Sequence, residues 1–389
     1  MENNNSVCYV ARIKEIKPIE GADNIQLATI GGWNCIVKKG AHKVGELVVC
    51  TTTDAVIPQT LSDELGVTNY LRNGGRVRTV KLRGVYSECL IISLDSLPQM
   101  KKFFAKGIGY FCNEGDDMMA HLGIFKYEPP VKMVQLAGGR KIRYQDNPNF
   151  HVYYKFPNLK NVPGMFNEND LVEITRKIHG TNARFGILKK AKLTIWDRLK
   201  MSLARKVKPE WKWAEYEFVV GSHNVEKGSD SNGFYDTNVW YEIEKKYNIK
   251  QKLWDYVKSD TMEPEIGDGI TLYGEIYGAG IQKGYDYGLK EIEFVGFDVK
   301  EEGEYLDPIN SKLLIQHILE LPYVEQLYYG RWSQEVQDKY VFNNFIKGTK
   351  VPEEGIVIKY HTGERQKIAK VINPDYLIFA EKHNVGDSH

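Results

Sequence analysis

The chain has 389 residues, 42% of them hydrophobic, and its 52 Lys and Arg nearly balance 51 Asp and Glu at a formal net charge of +1. That length predicts two or three domains with sizeable cores, and the balance excludes attraction of a polyanion by overall charge alone. No apolar run approaches a membrane span and residues 1–6 lack a basic-then-apolar signal pattern, so a soluble, cytoplasmic protein with no membrane partner is expected.

Residues 7–60 alternate apolar and polar positions in Val7-Cys-Tyr-Val-Ala-Arg-Ile13, Ile25-Gln-Leu-Ala-Thr-Ile30, Cys35-Ile-Val37 and Leu47-Val-Val-Cys50. Turn signals at Glu20-Gly-Ala-Asp-Asn24, Gly31-Gly32 and Gly40 separate them, a spacing that predicts a small β-barrel. The run Gly21-Ala-Asp-Asn-Ile-Gln-Leu27, with Val44-Gly-Glu-Leu-Val-Val49 after it, resembles the OB-type domain of tRNA-binding modules. All five cysteines (Cys8, Cys35, Cys50, Cys89, Cys112) lie in the first third without CxxC spacing. Buried thiols are expected rather than disulfides or zinc.

A further strand-like pair covers residues 76–84 and 87–94. Its first half belongs to a stretch, residues 65–87, without a single acid, which carries Arg72, Arg76, Arg78, Lys81 and Arg83. Alternate residues of a strand share a face, so Arg76 and Arg78 are expected on one basic comb. Arg76, Arg78, Lys81 and Arg83 are candidate nucleic-acid contacts, against a solvated edge strand protected by charge. Residues 1–150 hold 19 Lys and Arg against 15 Asp and Glu, and the remainder 33 against 36. Residues 99–169 are loop-rich, with Pro129-Pro130, Gly138-Gly139, Pro148, Pro157 and Pro163-Gly164. A domain boundary is placed near residue 150, giving domains 1–150 and 151–389.

In the second domain, alternation over residues 170–175 predicts a strand. Residues 239–259 and 311–327 carry apolar positions near helical spacing and predict helices packed on a sheet. Between residues 189 and 212 stand Lys189, Lys190, Lys192, Arg198, Lys200, Arg205, Lys206, Lys208 and Lys212 against only Asp197 and Glu210, with Trp196, Trp211 and Trp213 nearby. Phosphate contacts with aromatic stacking fit these letters, and so does a solvated helix leaning its tryptophans on the core. No GxxxxGK[ST], HExxH or GxSxG is present, and Gly278-Ala-Gly-Ile-Gln-Lys-Gly284 lacks GxGxxG spacing. Neither a P-loop nor a dinucleotide fold is indicated.

The strand over 170–175 leads into Lys177-Ile-His-Gly-Thr-Asn182. A lysine there, with a glycine three residues on, lets a phosphate approach the backbone while an amine points at it. An ordered set follows: Gly221-Ser-His-Asn224, Leu272-Tyr-Gly-Glu-Ile-Tyr-Gly278, Phe294-Val-Gly-Phe-Asp-Val299, Glu354-Gly-Ile-Val-Ile-Lys359 and Lys367-Ile-Ala-Lys-Val-Ile-Asn373. Together they resemble motifs I, Ia, III, IIIa, IV and V of covalent nucleotidyltransferases, the superfamily of ATP-dependent DNA and RNA ligases and mRNA capping enzymes. KIHGTN is similar to motif I of RNA ligases in particular.

The resemblance implies a reaction in which Lys177 takes AMP from ATP, passes it to a 5′-phosphate, and a 3′-hydroxyl then displaces it. Lys359 and Lys370 would assist catalysis by neutralising charge on the departing pyrophosphate. It also implies a nucleotide site of Arg176, Gly180, Asn182, Glu275, Phe297, Glu354, Lys359 and Lys370, with Phe297 stacked on the purine. Magnesium or manganese would be held through Glu354 and Glu275, mostly by way of water. Three departures stand out: His223 replaces the usual motif Ia arginine, so that the cation comes from Arg184 or elsewhere; Lys367 and Lys370 are three apart, Lys370 being preferred; and Arg176 stands where some relatives have Glu.

Only nineteen residues follow Lys370, too few for the C-terminal OB domain of most relatives, so the order resembles the fifth family of RNA ligases. The fold expected is therefore α+β, an N-terminal OB-like β-barrel followed by a nucleotidyltransferase domain of antiparallel sheets with flanking helices. The function expected is a monomeric ATP-dependent RNA ligase acting on RNA or an RNA-containing duplex with a nick. A DNA ligase and a non-catalytic RNA-binding protein are the alternatives.

Overall fold

The computed structural model describes residues 6–72, 74–97, 112–127, 147–204, 206–228, 237–260, 267–361, 366–383 and 385. Arg205, Pro129-Pro130 and Gly138-Gly139, singled out above, lie outside the described residues.

Five strands, β1 (Cys8–Pro18), β2 (Ile25–Ile30), β3 (Trp33–Lys38), β4 (Leu47–Thr52) and β5 (Cys89–Ser93), form an antiparallel sheet in the order β3-β2-β1-β4-β5. The long β1 pairs with β4 through Cys8 to Arg12 and with β2 from Ile13 onward. A register shift between Ile13 and Glu15 marks where it changes partner, and such a bulge bends a strand so that a sheet can curl. One side buries Ile13, Ile30, Trp33, Val48 and Cys50; the other buries Cys8, Val10, Val49 and Ile92 under Leu61 and Leu122. All five cysteines are free, four of them buried.

The expected pair over 76–84 and 87–94 is rearranged. Val80–Leu82 pairs with Val85–Ser87 in a short hairpin, while β5 pairs with β4. Arg83 and Gly84 form the hairpin's two-residue loop with φ of 49° and 79°, the combination a tight hairpin requires. Arg83, expected within a strand, is thus a turn residue. Arg76 and Arg78 precede the hairpin, the backbone of Arg76 making isolated bridges to Val56 and Arg72.

The strands from Leu171 onward make two antiparallel sheets. In the first, β6 (Leu171–Lys177) lies between β12 (Gln326–Arg331) and β13 (Gly355–His361), with β14 (Gln366–Ile372) beyond β13. In the second, the order is β8-β7-β9-β10-β11, formed by β7 (Thr181–Lys189), β8 (Tyr216–Gly221), β9 (Gly269–Gly278), β10 (Ile292–Glu301) and β11 (Glu304–Tyr305). Only residues 178–180 separate β6 from β7, so the chain steps from one sheet to the other beside Lys177.

Helices α2 (Val239–Tyr247) and α3 (Ile249–Asp260) bury Trp240, Ile243, Ile249, Leu253 and Val257 against Phe185, Ile187, Ile270 and Leu272 of the second sheet. Asn248, at φ 54°, separates them where a continuous helix was expected. The helix expected over 311–327 ends early: Pro308–Leu313 runs into a π-turn over Leu314–Ile318, Glu320 takes φ 48°, and Gln326 begins β12. The Tyr328-Tyr329 stretch belongs to that strand. Helix α1 (Ile195–Leu203) sits between β7 and β8, and α4 (Pro374–His383) follows β14.

The barrel docks on the second domain through side chains from both. Lys160 pairs with the buried Glu88, Trp33 Nε1 donates to Asn161 Oδ1 at 3.2 Å, and Tyr86 stacks on Phe342 at 6.1 Å between ring centroids. Arg78 reaches Glu381 at 3.4 Å and Lys81 reaches Asp375 at 3.3 Å, both acids on α4. Glu88 is 4% exposed and Lys160 16%, so deleting one partner strands a charge in poor solvent. Glu88→Ala is expected to lower stability by about 3 kcal/mol, the low end for a broken buried pair, whereas Glu88→Leu with Lys160→Met should lose less. Urea unfolding of the full chain reads the difference; equal losses would mean that the charge pairing is immaterial.

Candidate active site

Antiparallel pairing of β6 with β13 puts Lys177 opposite Gly355, and pairing of β13 with β14 puts Val357 opposite Lys370. Strand residues two apart share a face, so Lys177, Val357, Lys359 and Lys370 all belong to one side of the first sheet. Ile356 and Ile358 are fully buried on the other side with Val172 and Ile174. Lys177 Nζ donates to Glu354 Oε1 at 2.5 Å. The other carboxylate oxygen of Glu354 stands 3.9 Å from His179 Nδ1.

The loop that follows Lys177 is held tightly. Gly180 has no room for a Cβ: one would collide with the carbonyl of Ile276 and with Glu275. Its glycine therefore serves backbone packing against β9, where a close phosphate approach was expected. Gln282 Nε2 donates to Gly180 O at 2.6 Å, and His179 N donates to Tyr287 Oη at 2.6 Å. His179 is buried edge-on between Tyr285 and Tyr376. Gln282 and Lys283 come from the glycine-rich run 278–284, which fits no nucleotide motif and was set aside on sequence. Its position directly after the Glu275 strand was the available signal.

Between the two domains lies a cavity of about 1560 Å³. Lys177, Gly180, Glu275, Glu354 and Lys370 line it from the second domain, and Arg76, Arg78 and Lys126 from the first. Lys155, Lys283 and Lys290 also line it and carried no sequence signal. Burial and then the charge of Lys177 push the Lys370 ammonium below its ordinary range, with Lys126 adding to the repulsion and Glu354 and Asp54 opposing it. Lys367 is directed elsewhere, toward the Met165 carbonyl and the Tyr360 ring.

Other expected residues sit apart from this cavity. Arg176, on the strand face opposite Lys177, pairs with Glu325 at 2.7 Å and Glu353 at 3.4 Å, so its charge is already engaged. Lys359 is 2% exposed; its Nζ donates to Phe297 O at 2.7 Å and Asp298 Oδ2 at 3.3 Å, tying the two sheets together. Asp298 also accepts from Tyr153 Oη at 2.8 Å, and the Phe297 ring meets Tyr153 edge-on at 5.0 Å. Asn182 lies opposite Glu275 and gives its backbone carbonyl to Trp240 Nε1.

Arg184, considered for the phosphate cation, is fully buried over the Phe150 ring and donates to the carbonyls of Ser222 and Phe150 at 2.7 Å each. Burial holds its guanidinium down at about 10. It ties β7 to the segment just after β8 and to Phe150, and it does not line the cavity. In the first domain, Arg76 pairs with Asp54 and lies over the Tyr127 ring. With Arg78 and Lys81 engaged by Glu381 and Asp375, the expected basic comb is largely spent on ion pairs.

The comparisons bear on this geometry. Residues 170–372 match the RNA ligase family model and residues 7–94 that of an OB-fold domain. The chain belongs to the RNA ligase family. No curated protein matches at a significant level. Among solved structures, an apo mutant of the Naegleria gruberi RNA ligase aligns with 23% identity over 97% of this chain and 98% of that one, at a TM-score of 0.67. A mutant of the same ligase with ATP and Mn gives 23%, 97%, 99% and 0.68, and the ligase with PPi gives 22%, 97%, 99% and 0.67. At that identity the likeness speaks for the fold: an N-terminal OB domain followed by a ligase domain of antiparallel sheets. Among the described residues no helix is long and apolar enough to cross a membrane.

The donor set beside Lys177 suits a hard cation. Glu275 and Glu354 supply carboxylate oxygens, and among the described residues no cluster of three His, Cys, Asp or Glu converges; magnesium and manganese commonly take one or two carboxylates and keep their water.

The shift at Lys370 has a stability consequence whose sign is fixed. Its folded value lies below its unfolded one near 10.4, so the charged form opposes folding at neutral pH and the penalty fades as pH rises through that window. Lys370→Met is expected to raise the melting temperature at pH 7, with the gain shrinking toward pH 10. A gain independent of pH, or a loss at pH 7, would show that burial does not strain this lysine.

Proposed function

We propose that the protein is an ATP-dependent RNA ligase that seals nicks in RNA-containing duplexes through an AMP carried on Lys177. The observation that carries this reading is the Lys177 amine held against Glu354 and beside Lys370 in the cavity between the domains. Its support from outside the chain is the solved Naegleria gruberi ligase with ATP and Mn and with PPi. In this reading residues 1–150 are the OB-type domain with its linker, residues 151–389 the catalytic domain, and the working form is a monomer.

An amine can attack phosphorus only without its extra proton, and an ordinary lysine with a pKa of about 10.4 is rarely in that state at pH 7. Two groups act in opposite senses. Glu354 at 2.5 Å favours the ammonium, while Lys370 repels it. Divalent metal, when bound, neutralises phosphate charge and competes for Glu354. Glu354 and Glu275 are the residues that would hold such a metal, and Lys370 is the neighbouring cation that would favour loss of the Lys177 proton. Lys177 Nζ then forms a bond to the α-phosphorus as the bond to the pyrophosphate oxygen breaks. Lys370 meets the departing charge. The AMP passes to a 5′-phosphate oxygen, returning Lys177 to its amine, and a 3′-hydroxyl displaces AMP as the strand closes.

The resemblance assigns Phe297 to stacking on the purine, although its ring packs on Tyr153 outside the cavity lining. Gly180 and Asn182 shape the loop and strand beneath the nucleotide, while Lys359 fixes the spacing between the sheets. Arg76 and Arg78 face the same cavity and act on nucleic acid there, the ion pairs of Arg76 with Asp54 and of Arg78 with Glu381 being exposed enough for phosphates to compete. Lys81, Arg83 and Arg176 lie off the cavity lining and add charge at longer range.

Labelling with α-labelled ATP and metal tests the first step: Lys177→Ala should leave no label on the denatured protein. Lys370→Ala should lose labelling yet seal a pre-adenylylated strand, with Lys367→Ala close to the parent chain. Undiminished labelling of the Lys177 variant, or the two phenotypes reversed, would overturn the assignment. A second outcome concerns the substrate. RNA on the 3′-hydroxyl side should be required, because the 2′-hydroxyl is the group that distinguishes RNA; equal sealing of all-DNA nicks would favour a DNA ligase.

A further inference from the structure

The basic, tryptophan-bearing stretch left undecided on sequence separates in the structure. Trp213 is buried in the core, while Trp196 is 70% exposed on α1 with Ile195 at 85% and Leu199 at 44%. Residues three and four apart on a helix are neighbours, so Leu199 joins Ile195 and Trp196 in one apolar patch, with Arg198 one turn on from Ile195 and Lys200 one turn on from Trp196, at opposite edges of it. A large apolar side chain forgoes roughly 1.5–3 kcal/mol by staying out of contact.

The helix is fixed in place independently of this patch. Thr194 and Asp197 make a reciprocal cap, Asp197 N donating to Thr194 Oγ1 at 3.1 Å and Thr194 N to Asp197 Oδ2 at 2.9 Å. Lys190 Nζ donates to Asp197 Oδ1 at 2.7 Å, and this ion pair holds the carboxyl down at about 2. Asp197 is thereby spent. Among the described residues, Arg198, Lys200, Lys206 and Lys208 form no ion pair. Arg198 and Lys200 thus flank the exposed patch on a capped helix without an ion pair among the described residues.

We propose that this face of α1 binds an unpaired RNA segment away from the junction, with a base stacked on Trp196 and phosphates on Arg198 and Lys200. The proposal rests on the RNA-ligase reading and adds to it a second contact with the substrate. Positive charge with an aromatic platform is the combination that holds single strands regardless of sequence, and a base can offer its face only when unpaired. Its separation from the reaction centre follows from topology. α1 follows the far end of β7, whose near end adjoins Lys177; at about 3.3 Å per residue the nine-residue strand spans about 27 Å. An unpaired strand of about twelve nucleotides, at up to about 3.4 Å each, bridges that distance.

The test compares a blunt-ended nicked RNA duplex with the same duplex carrying an unpaired tail of about twelve nucleotides at one end or the other. For the parent chain, a tail at one end should tighten binding at least fivefold, since one stacked base contributes about 1–3 kcal/mol. Trp196→Ala should abolish that increment and Trp196→Phe restore most of it, while blunt-duplex binding and self-adenylylation stay unchanged. Arg198→Ala with Lys200→Ala should flatten the salt dependence of the tailed substrate by roughly 0.7 of a slope unit for each contact. No tightening by either tail, or tightening that survives Trp196→Ala, overturns the proposal and leaves the patch to a protein or membrane partner. Failure of the parent chain to take label from ATP would instead overturn the ligase reading.

Discussion

The register of β6 against β13 is the constraint on which the rest of the site depends. Because Lys177 stands opposite Gly355, the amine and the Glu354 carboxylate meet although 177 positions separate them in the chain. Gly355, at φ 150°, leaves no space for a Cβ against the Val371 carbonyl of β14, so the same point brings in the strand that carries Lys370. A slip of one residue would turn Lys177 to the buried side. The apolar partners on that side, Val172, Ile174, Ile356 and Ile358, prevent the slip.

Charge is handled differently in each layer around that register. Deep between the sheets, Lys359 is neutralised by Asp298 and by a backbone carbonyl, and Glu173 beside it is pushed upward by burial while accepting from Tyr323 Oη. That layer is structural. Nearer the cavity, Lys177 bonds to Glu354, and Lys370 is repelled by Lys177 and drawn by Glu354 and Asp54, a concentration of amines suited to receiving phosphates. At the rim, Arg78 and Lys81 are matched by acids of α4, so the ion pairs that close the domains against one another are also the most accessible to salt.

The barrel contributes by position as well as by charge. Its docking residues Trp33 and Glu88 grip Asn161 and Lys160, in the segment that leads from the linker to β6. Tyr153 of that segment donates to Asp298 and meets Phe297. The chain between the domains is also part of the cavity wall, through Lys155, Asn158 and Lys160.

Much of this was legible in the sequence. Period-two alternation marked β1, β2, β4 and β6, because a strand with one face in the core must alternate. The family resemblance ordered Lys177, Glu275, Glu354 and Lys370, all four of which share the cavity. The sequence preferred Lys370 to Lys367, and the register places Lys370 on the cavity side opposite Val357. Other properties belong to the tertiary structure alone. Arg176 and Arg184 read as free cations, but Glu325 and Glu353 in one case and buried carbonyls in the other engage them. Arg83 read as a strand residue and became a turn, and Trp196 and Trp213, alike in sequence, ended on opposite sides of the surface. The physical reason is the same throughout: alternation and motif spacing are local, whereas the partner of a charge or of an indole is chosen by segments far away in the chain.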